Sequence, residues 1–515
     1  MRKYLYVAVF ISGLTSLSLE MTASRLLERT FGMSNLVWAC IIGLIMLYLA
    51  AGYFLGGYWA DRSPNLHTFF QILVWAAISI AIIPLIAKPV LAAASDAFDR
   101  LEFGILIGAF VTVLILLVIP VVLLGTASPF AIRLSIQRAH AAGQVSGRIY
   151  SVSTLGSFLG TFLPVLVLIP TIGTERTFLV LSAILLVTAL VGLWRTVSAR
   201  AVLVYLWSPL IIIAIWFLGL SGPDRNTPGL VYETESSYNY LQVLESNDYR
   251  ILRMNEGQGM HSVYNPKVLN YYGPWEMVLV APYFNPAPYL PRQVQSMAIV
   301  GLAAGTTARQ ATAVYGPIAI DGFEIDQKVV DIGRAYFDMN QPNLNVIVQD
   351  GRWGLDHSQK RYQVISVDAY RPPYIPWSMT TQEFFQIVRR HLTDDGAMVI
   401  NVGRAPNDRR LVEALSSTIG SVFPSVHVVD VPQTFNSIIF ATVQPTSADN
   451  LRQNLVLFES QPDAPPLLLE TLRTAVMNLQ PTPQPGPVFT DDLAPIEWIT
   501  NDMIIRYILS GEKLQ

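Results

Sequence analysis

The chain has 515 residues, 52% of them hydrophobic and only 14% charged, with a formal charge of −3 and a single cysteine, Cys40. One cysteine excludes a disulfide scaffold and a Cys-based zinc site, and the apolar content excludes disorder. The charge is unevenly divided: residues up to Leu220 hold 13 Lys/Arg and 7 Asp/Glu, leaving 21 and 30 for the rest, so a mildly basic first part precedes an acidic second part. No basic stripe for nucleic acid is present in either part.

A helix advances about 1.5 Å per residue, so crossing the hydrocarbon core takes about 20 mostly apolar residues. Seven runs qualify: Tyr4–Leu27, Asn35–Trp59, Thr68–Leu91, Phe103–Leu124, Ile149–Ile172, Thr177–Trp194 and Ala201–Leu220. The first is too long for a cleaved leader and carries Glu20 and Arg25, so it is read as a span. Glu20 marks either a polar site between helices or an end-of-helix carboxylate paired with Arg25. Arg2, Lys3, Arg62, Arg133, Arg138, Arg148, Arg195 and Arg200 would lie on one side, against Arg25, Arg29, Lys88, Arg100 and Arg176 on the other. That shallow bias puts the N-terminus in the cytoplasm. An odd number of spans would then put the second part outside, in conflict with the cytosolic chemistry argued below.

Residues 221–230 form a turn-rich linker, and Val231 to about Tyr264 alternates like a small β region. From Met297 the pattern changes. Strands are predicted at Met297–Gly301, Ile318–Ile325, Asn345–Val348, Val364–Val367 and Ala397–Val402. Helical stretches at Ala308–Val314, Lys328–Phe337, Thr381–Leu392 and Asp408–Gly420 separate them. This alternation implies a parallel sheet, which binds ligands at the carboxyl ends of its strands.

Four successive strand ends carry suitable groups. Gly301-Leu302-Ala303-Ala304-Gly305 is a small-residue turn that lets backbone approach a ligand closely. Glu324 can accept both ribose hydroxyls, Asp350-Gly351 suits an adenine amino group, and Asp368 follows the fourth strand. Each feature alone is common, but the four in register point to a nucleoside site.

The run Ile299–Gly305, Gly322-Phe323-Glu324-Ile325-Asp326, Val348-Gln349-Asp350-Gly351, Tyr362–Asp368 and the helix Thr380–Leu392 resembles the spermidine synthase (polyamine aminopropyltransferase) family. With the apolar spans, the chain resembles membrane-bound spermidine synthase-like proteins. The resemblance implies a multi-span helical membrane domain of about seven helices, then a soluble α/β Rossmann-like domain of the class I methyltransferase type. Its expected divisions are 1–220, the linker 221–230, a β-rich part 231–295, a nucleoside-binding core 296–450 and a C-terminal extension 451–515. It further implies that Glu324 holds the ribose, Asp350 the adenine, and that Asp368 lies nearest the reacting atoms. The substrate would be S-adenosylmethionine or its decarboxylated form, with no prosthetic group or metal. Partners would be the lipid bilayer and a second copy in a homodimer.

The sequence departs from the family at the substrate end. The turn's family Asp is Ala304, and the second Asp of the catalytic loop is Arg371. The family's aromatic-His-Glu-Met stretch reads Pro274-Trp275-Glu276-Met277, and Gln258 or His261 stands where the Gln-bearing turn would be. Tyr264 and Tyr370 are candidate pocket walls. Losing two acids and gaining a guanidinium suits the α-carboxylate of S-adenosylmethionine, whose own oxygen can displace methylthioadenosine and close homoserine lactone. The reading favoured on sequence is therefore intramolecular cleavage. The alternatives are aminopropyl transfer to an amine, with Asp321, Glu256 or Glu276 supplying the lost acids, and a non-catalytic nucleoside-binding transporter or sensor. An integral, multi-pass location in the plasma or inner membrane, with the catalytic domain facing the cytoplasm, follows from the substrate.

Overall fold

A computed structural model describes residues 2–31, 35–101, 105–136, 142–219, 227–255, 259–370 and 374–510. They form two units, Met1–Asn226 and Thr227–Gln515. Gln258, Glu256, Arg371 and the linker positions 221–226 lie outside the described residues.

In the first unit, seven helices are long and apolar enough to cross a membrane among the described residues: Lys3–Glu28, Trp38–Arg62, Leu66–Leu91, Val111–Ser135, Ala142–Ile172, Thr174–Thr196 and Ala199–Leu218. The fourth continues past its expected end at Leu124. It is interrupted only at Thr126, between helices Ile105–Gly125 and Ala127–Ser135, where Gly125 and Pro129 weaken the hydrogen-bond ladder. Pro164 opens a π-helical turn, Pro164–Leu168, for the same reason. Arg25 pairs with Glu28 at 2.7 Å.

Lipid removes the hydrophobic incentive for helices to associate, so close backbone approach has to replace it. The first helix, Arg2–Phe31, and the fifth span meet through glycine. A Cβ on Gly13 would overlap the Ser153 carbonyl, one on Gly156 that of Phe10, and one on Gly160 that of Leu14. The two backbones are stitched by Ser18 Oγ, which donates to the Gly160 carbonyl at 2.9 Å, and by Ser157 Oγ, which donates to that of Gly13 at 3.1 Å.

In the second unit, β1 (Leu230–Glu235), β2 (Tyr240–Ser246), β3 (Tyr249–Met254) and β4 (Ser262–Tyr264) form an antiparallel sheet. Leu230 thus already belongs to a strand. A larger sheet holds β5 (Ser296–Val300), β6 (Ala319–Glu324), β7 (Leu344–Val348), β8 (Tyr362–Val367), β9 (Leu392–Gly403), β10 (Ser425–Asp430) and β11 (Asn436–Thr442). Its order is β10-β11-β9-β8-β5-β6-β7. β5 to β9 run parallel, and β11 is antiparallel to both β9 and β10. β5 lies between β6 and β8, so successive crossovers leave it in opposite directions and open a crevice at its carboxyl end. This is a methyltransferase-like fold.

The C-terminal portion was less visible in the sequence. β10, β11 and helices Ala448–Glu459, Pro466–Met477 and Ile496–Ser510 were not anticipated as elements. They are not an appendage. Leu451, Phe458, Leu468 and Leu472 are buried in one apolar cluster with Met297 and Ile299, while Phe489, Ile496, Ile499 and Met503 join Val300, Ile365 and Val367 in another.

Replacing Gly156 with Ala should lower the stability of the first unit by roughly 1–3 kcal/mol, because the added methyl overlaps backbone that cannot yield. Gly43→Ala, where a Cβ meets nothing within 4 Å, should be neutral or stabilising. Unfolding of the detergent-solubilised chain compares the two; equal effects would contradict this packing.

Candidate functional site

The parallel sheet brings the four predicted strand ends side by side. Gly301 and Gly305 have φ of 90° and 82°, a region that costs other residues strain. Space is as important as conformation at Gly301, where a Cβ would lie 2.5 Å from the Asp368 carbonyl oxygen. Its absence lets the chain leaving β8 cross directly over the turn after β5, and Asp368 N donates to the Val300 carbonyl at 2.8 Å. Gly305 caps helix Thr306–Tyr315, and a Cβ there would lie 2.6 Å from Met339 Cγ. Gly351 packs against Val300, 2.5 Å from a would-be Cβ.

Glu324, at the end of β6, is buried and accepts two backbone N–H groups, from Ala303 at 2.9 Å and from Asp326 at 3.1 Å. Burial without a cationic partner pushes its carboxyl up to about 7, against the pull of those donors. Asp350 is exposed and uses one carboxylate oxygen to cap helix Gly351–Asp356 through Trp353 N at 2.9 Å. Asp326, noted in the sequence only as part of the ribose strand, caps helix Gln327–Tyr336 and accepts from Ser236 Oγ and Asn239 Nδ2. Those two residues follow β1, so the small sheet is hydrogen-bonded to the edge of the nucleoside strand.

Asp368 is half-buried, and burial raises its carboxyl to about 6. Asn401 Nδ2 donates to its Oδ1 at 3.1 Å, and Asn436 Nδ2 donates to Asn401 Oδ1 at 2.8 Å. Asn401 and Asn436 escaped the sequence reading. The available signal was an amide inside the apolar strand Ala397–Val402, where a buried polar group demands a partner. A carboxylate held at one oxygen, with a pKa near neutrality, is equipped to accept a proton at the other.

The substrate-end candidates fare unevenly. Ala304 is fully enclosed in an apolar cluster with Leu241, Val243, Leu252, Val329, Ile332 and Phe337, and its N–H donates to Ser262 Oγ at 2.9 Å. It belongs to the floor beneath the turn, not to an open wall, and Ala303, half-buried with φ of 49°, is the more accessible corner. Tyr370 is a strap: its hydroxyl donates to the Asn401 carbonyl at 3.0 Å and accepts from Gly403 N at 2.9 Å. Burial, and secondarily the Asp368 charge, raises its pKa. Tyr264 lies under the Arg309 guanidinium, 4.6 Å from ring centroid to Cζ. His261 is neutral, its pKa lowered to about 4 by burial, and its Nε2 has no hydrogen-bond partner among the described residues.

Of the acids considered as substitutes, the two among the described residues, Glu276 and Asp321, are committed elsewhere. Glu276 is buried, accepting from Tyr271 N at 2.5 Å, Gly273 N at 3.0 Å and Gln310 Nε2 at 2.8 Å. Asp321 holds Lys360 at 2.7 Å and Tyr362 at 2.7 Å. Neither is free to replace a lost substrate anchor. His357 stacks on Trp353 and His391 contacts the Lys360 carbonyl, and no group of three metal-ligating side chains occurs among the described residues.

Residues 290–454 match the spermine/spermidine synthase domain. A probable polyamine aminopropyl transferase of Bifidobacterium longum is 36% identical over 282 residues, covering 52% of this chain and 61% of that protein. A polyamine aminopropyltransferase of Vibrio vulnificus is 28% identical over 216 residues, covering 40% of this chain and 68% of its own length. Among solved structures, a probable spermidine synthase from Corynebacterium glutamicum is similar at 18% identity and a TM-score of 0.39, covering 52% of this chain and 99% of that one. The chain spans about three fifths of the length of the Bifidobacterium relative. The second unit thus contains a region that matches the spermine/spermidine synthase domain, and about half of the chain is similar to a probable polyamine aminopropyl transferase.

Proposed function

We propose that the second unit binds decarboxylated S-adenosylmethionine and transfers its aminopropyl group to an amine. The observation carrying this reading is the pair of carboxyls at the strand ends on either side of β5, Glu324 for the ribose and Asp368 for the reacting end. Relatives described as aminopropyltransferases support it. The amine nitrogen attacks the carbon beside the sulfonium, the carbon–sulfur bond breaks, and sulfur keeps the electron pair as the neutral thioether of methylthioadenosine. The nitrogen must then shed a proton. Asp368, with its pKa near 6, is largely ionised at pH 7 and close enough to neutrality to take that proton and return it to water. Asn401 fixes Oδ1 and so aims Oδ2; Asn436 fixes Asn401. Alignment supplies the remainder of the rate.

Intramolecular cleavage of S-adenosylmethionine, favoured on sequence, has weaker support. Its argument used an acid missing from a ligand-facing position at Ala304, a residue now enclosed in apolar side chains. Its second leg, Arg371, lies outside the described residues.

Turnover of decarboxylated S-adenosylmethionine should require an added amine. Asp368→Asn should cut kcat by about 10²–10⁴-fold while leaving methylthioadenosine affinity nearly unchanged. Methylthioadenosine formed from S-adenosylmethionine alone, with no amine present, would overturn this proposal in favour of cleavage.

The raised pKa of Glu324 gives a second check. Ribose hydroxyls donate to the ionised carboxylate, so binding must release the proton that Glu324 holds below about pH 7. Calorimetric affinity for methylthioadenosine should therefore weaken about tenfold for each pH unit below 7 and level off above it. Glu324→Gln should lose that slope and bind about 10–100-fold more weakly at pH 8. A slope persisting in the variant would assign the titration elsewhere.

The substrate is cytosolic, so a cytoplasmic second unit is part of the proposal. With seven spans the N-terminus is then outside, against the shallow charge bias. A cytoplasm-active reporter after Gln515 should be active; an inactive one, with activity of the same reporter fused before Met1, would reverse the orientation.

A further inference from the structure

We propose that the first unit holds a site for the headgroup phosphate of an anionic phospholipid, formed by Arg148, Gln144 and Tyr6. These three side chains line an open groove of about 550 Å³ together with Gly147, Ser151 and Val152. Successive spans reverse direction, so the starts of the first and fifth spans, where Tyr6 and Gln144–Val152 lie, fall at the same membrane face. That is the depth at which headgroups sit.

The groove has charge and donors that nothing among the described residues satisfies. Neither the Arg148 guanidinium, the Gln144 amide nor the Tyr6 hydroxyl has a hydrogen-bond or ion-pair partner among the described residues. Neighbouring cations at this face are engaged differently: Arg62 lies over the Tyr58 ring, Arg195 over that of Tyr4, and Arg133 pairs with Asp61 at 2.7 Å. Asp61 is the carboxylate at this face among the described residues, and Arg133 occupies it. Arg148 therefore faces no protein anion among the described residues. Gly147 faces open space, since a Cβ there would meet nothing within 4 Å.

What lies along the same helix favours a lipid over a soluble phosphate. From Arg148 the helical repeat runs through Leu155, Phe158, Leu159, Phe162 and Leu166, exposed by 61%, 59%, 50%, 47% and 68%. At about 1.5 Å per residue this apolar stripe extends about 27 Å from the guanidinium, toward and beyond the middle of the bilayer. A polar head at the interface continuous with an exposed apolar stripe fits an amphiphile lying lengthwise. A guanidinium supplies two parallel N–H donors to a phosphate, and the amide and phenol can complete its oxygens. The choline of a zwitterionic lipid would bring a second cation beside Arg148, so an anionic headgroup is preferred.

The test uses the full chain, purified in detergent and stripped of lipid. Phosphatidylglycerol, phosphatidylcholine and inorganic phosphate are titrated separately, with bound lipid counted by native mass spectrometry and unfolding temperature followed in parallel. Phosphatidylglycerol should bind saturably and about tenfold tighter than phosphatidylcholine, and inorganic phosphate should have no stabilising effect. Arg148→Gln should weaken phosphatidylglycerol binding about tenfold or more, while Arg200→Gln, at the same face but outside the groove, should change it by less than about twofold. Gln144→Glu conserves side-chain shape but adds a repelling charge and should weaken binding similarly; it decides the matter if Arg148→Gln does not fold. Unchanged phosphatidylglycerol binding in the variants, or an equal response to inorganic phosphate, would overturn the lipid assignment.

Discussion

The catalytic end of the second unit depends on an atom that is absent. Because Gly301 has no Cβ, the backbone leaving β8 can rest on the turn leaving β5, and two strand ends that point the same way are drawn into one site. Nearby, Ala303 donates its N–H to Glu324 and Ala304 donates to Ser262 of the small sheet. One short turn therefore sets the distances among Glu324, Asp368 and the small sheet. A methyl group at position 301 would push Asp368 off its hydrogen bond to Val300 and disturb all three at once.

The carboxyls of this unit divide by how burial is compensated. Asp321 and Asp430 are paired with Lys360 and Arg409, at 2.7 and 2.8 Å, and serve the architecture. Glu276 accepts from N–H donors alone and closes a turn, and burial raises its carboxyl too. Glu324 and Asp368 are desolvated with only partial hydrogen-bond compensation and no cation, which is why their pKa values rise toward neutrality. An unrelieved cost of this kind is retained where a ligand supplies the missing interaction.

How much of this could be read in advance follows from the range of the forces involved. Membrane spans are legible because each is a local property of about 20 residues, and the parallel core because strand and helix alternate at short period. The four strand-end groups were found because they sit at fixed offsets from those strands. Asn401 and Asn436 were missed because their role exists only once β9, β8 and β11 are side by side. Ala304 was assigned to the pocket by position in a motif; its burial depends on side chains from β2, β3 and the helix Gln327–Tyr336, which are distant in sequence. β10 and β11 lacked an intervening helix, so the alternation that revealed their neighbours gave no signal.

The late position of Phe489, Ile496, Ile499 and Met503 has a consequence for biogenesis. They complete the apolar layer on one face of a sheet whose first strand begins at Ser296, so about two hundred further residues, as far as Met503, must be synthesised before that layer can close. Domains fold as units once their contacts are available. The helices of the first unit precede the sheet in the chain, and until the layer closes Val300, Ile365 and Val367 lack part of their native apolar cover. The order of synthesis thus places the apolar spans ahead of the completed sheet.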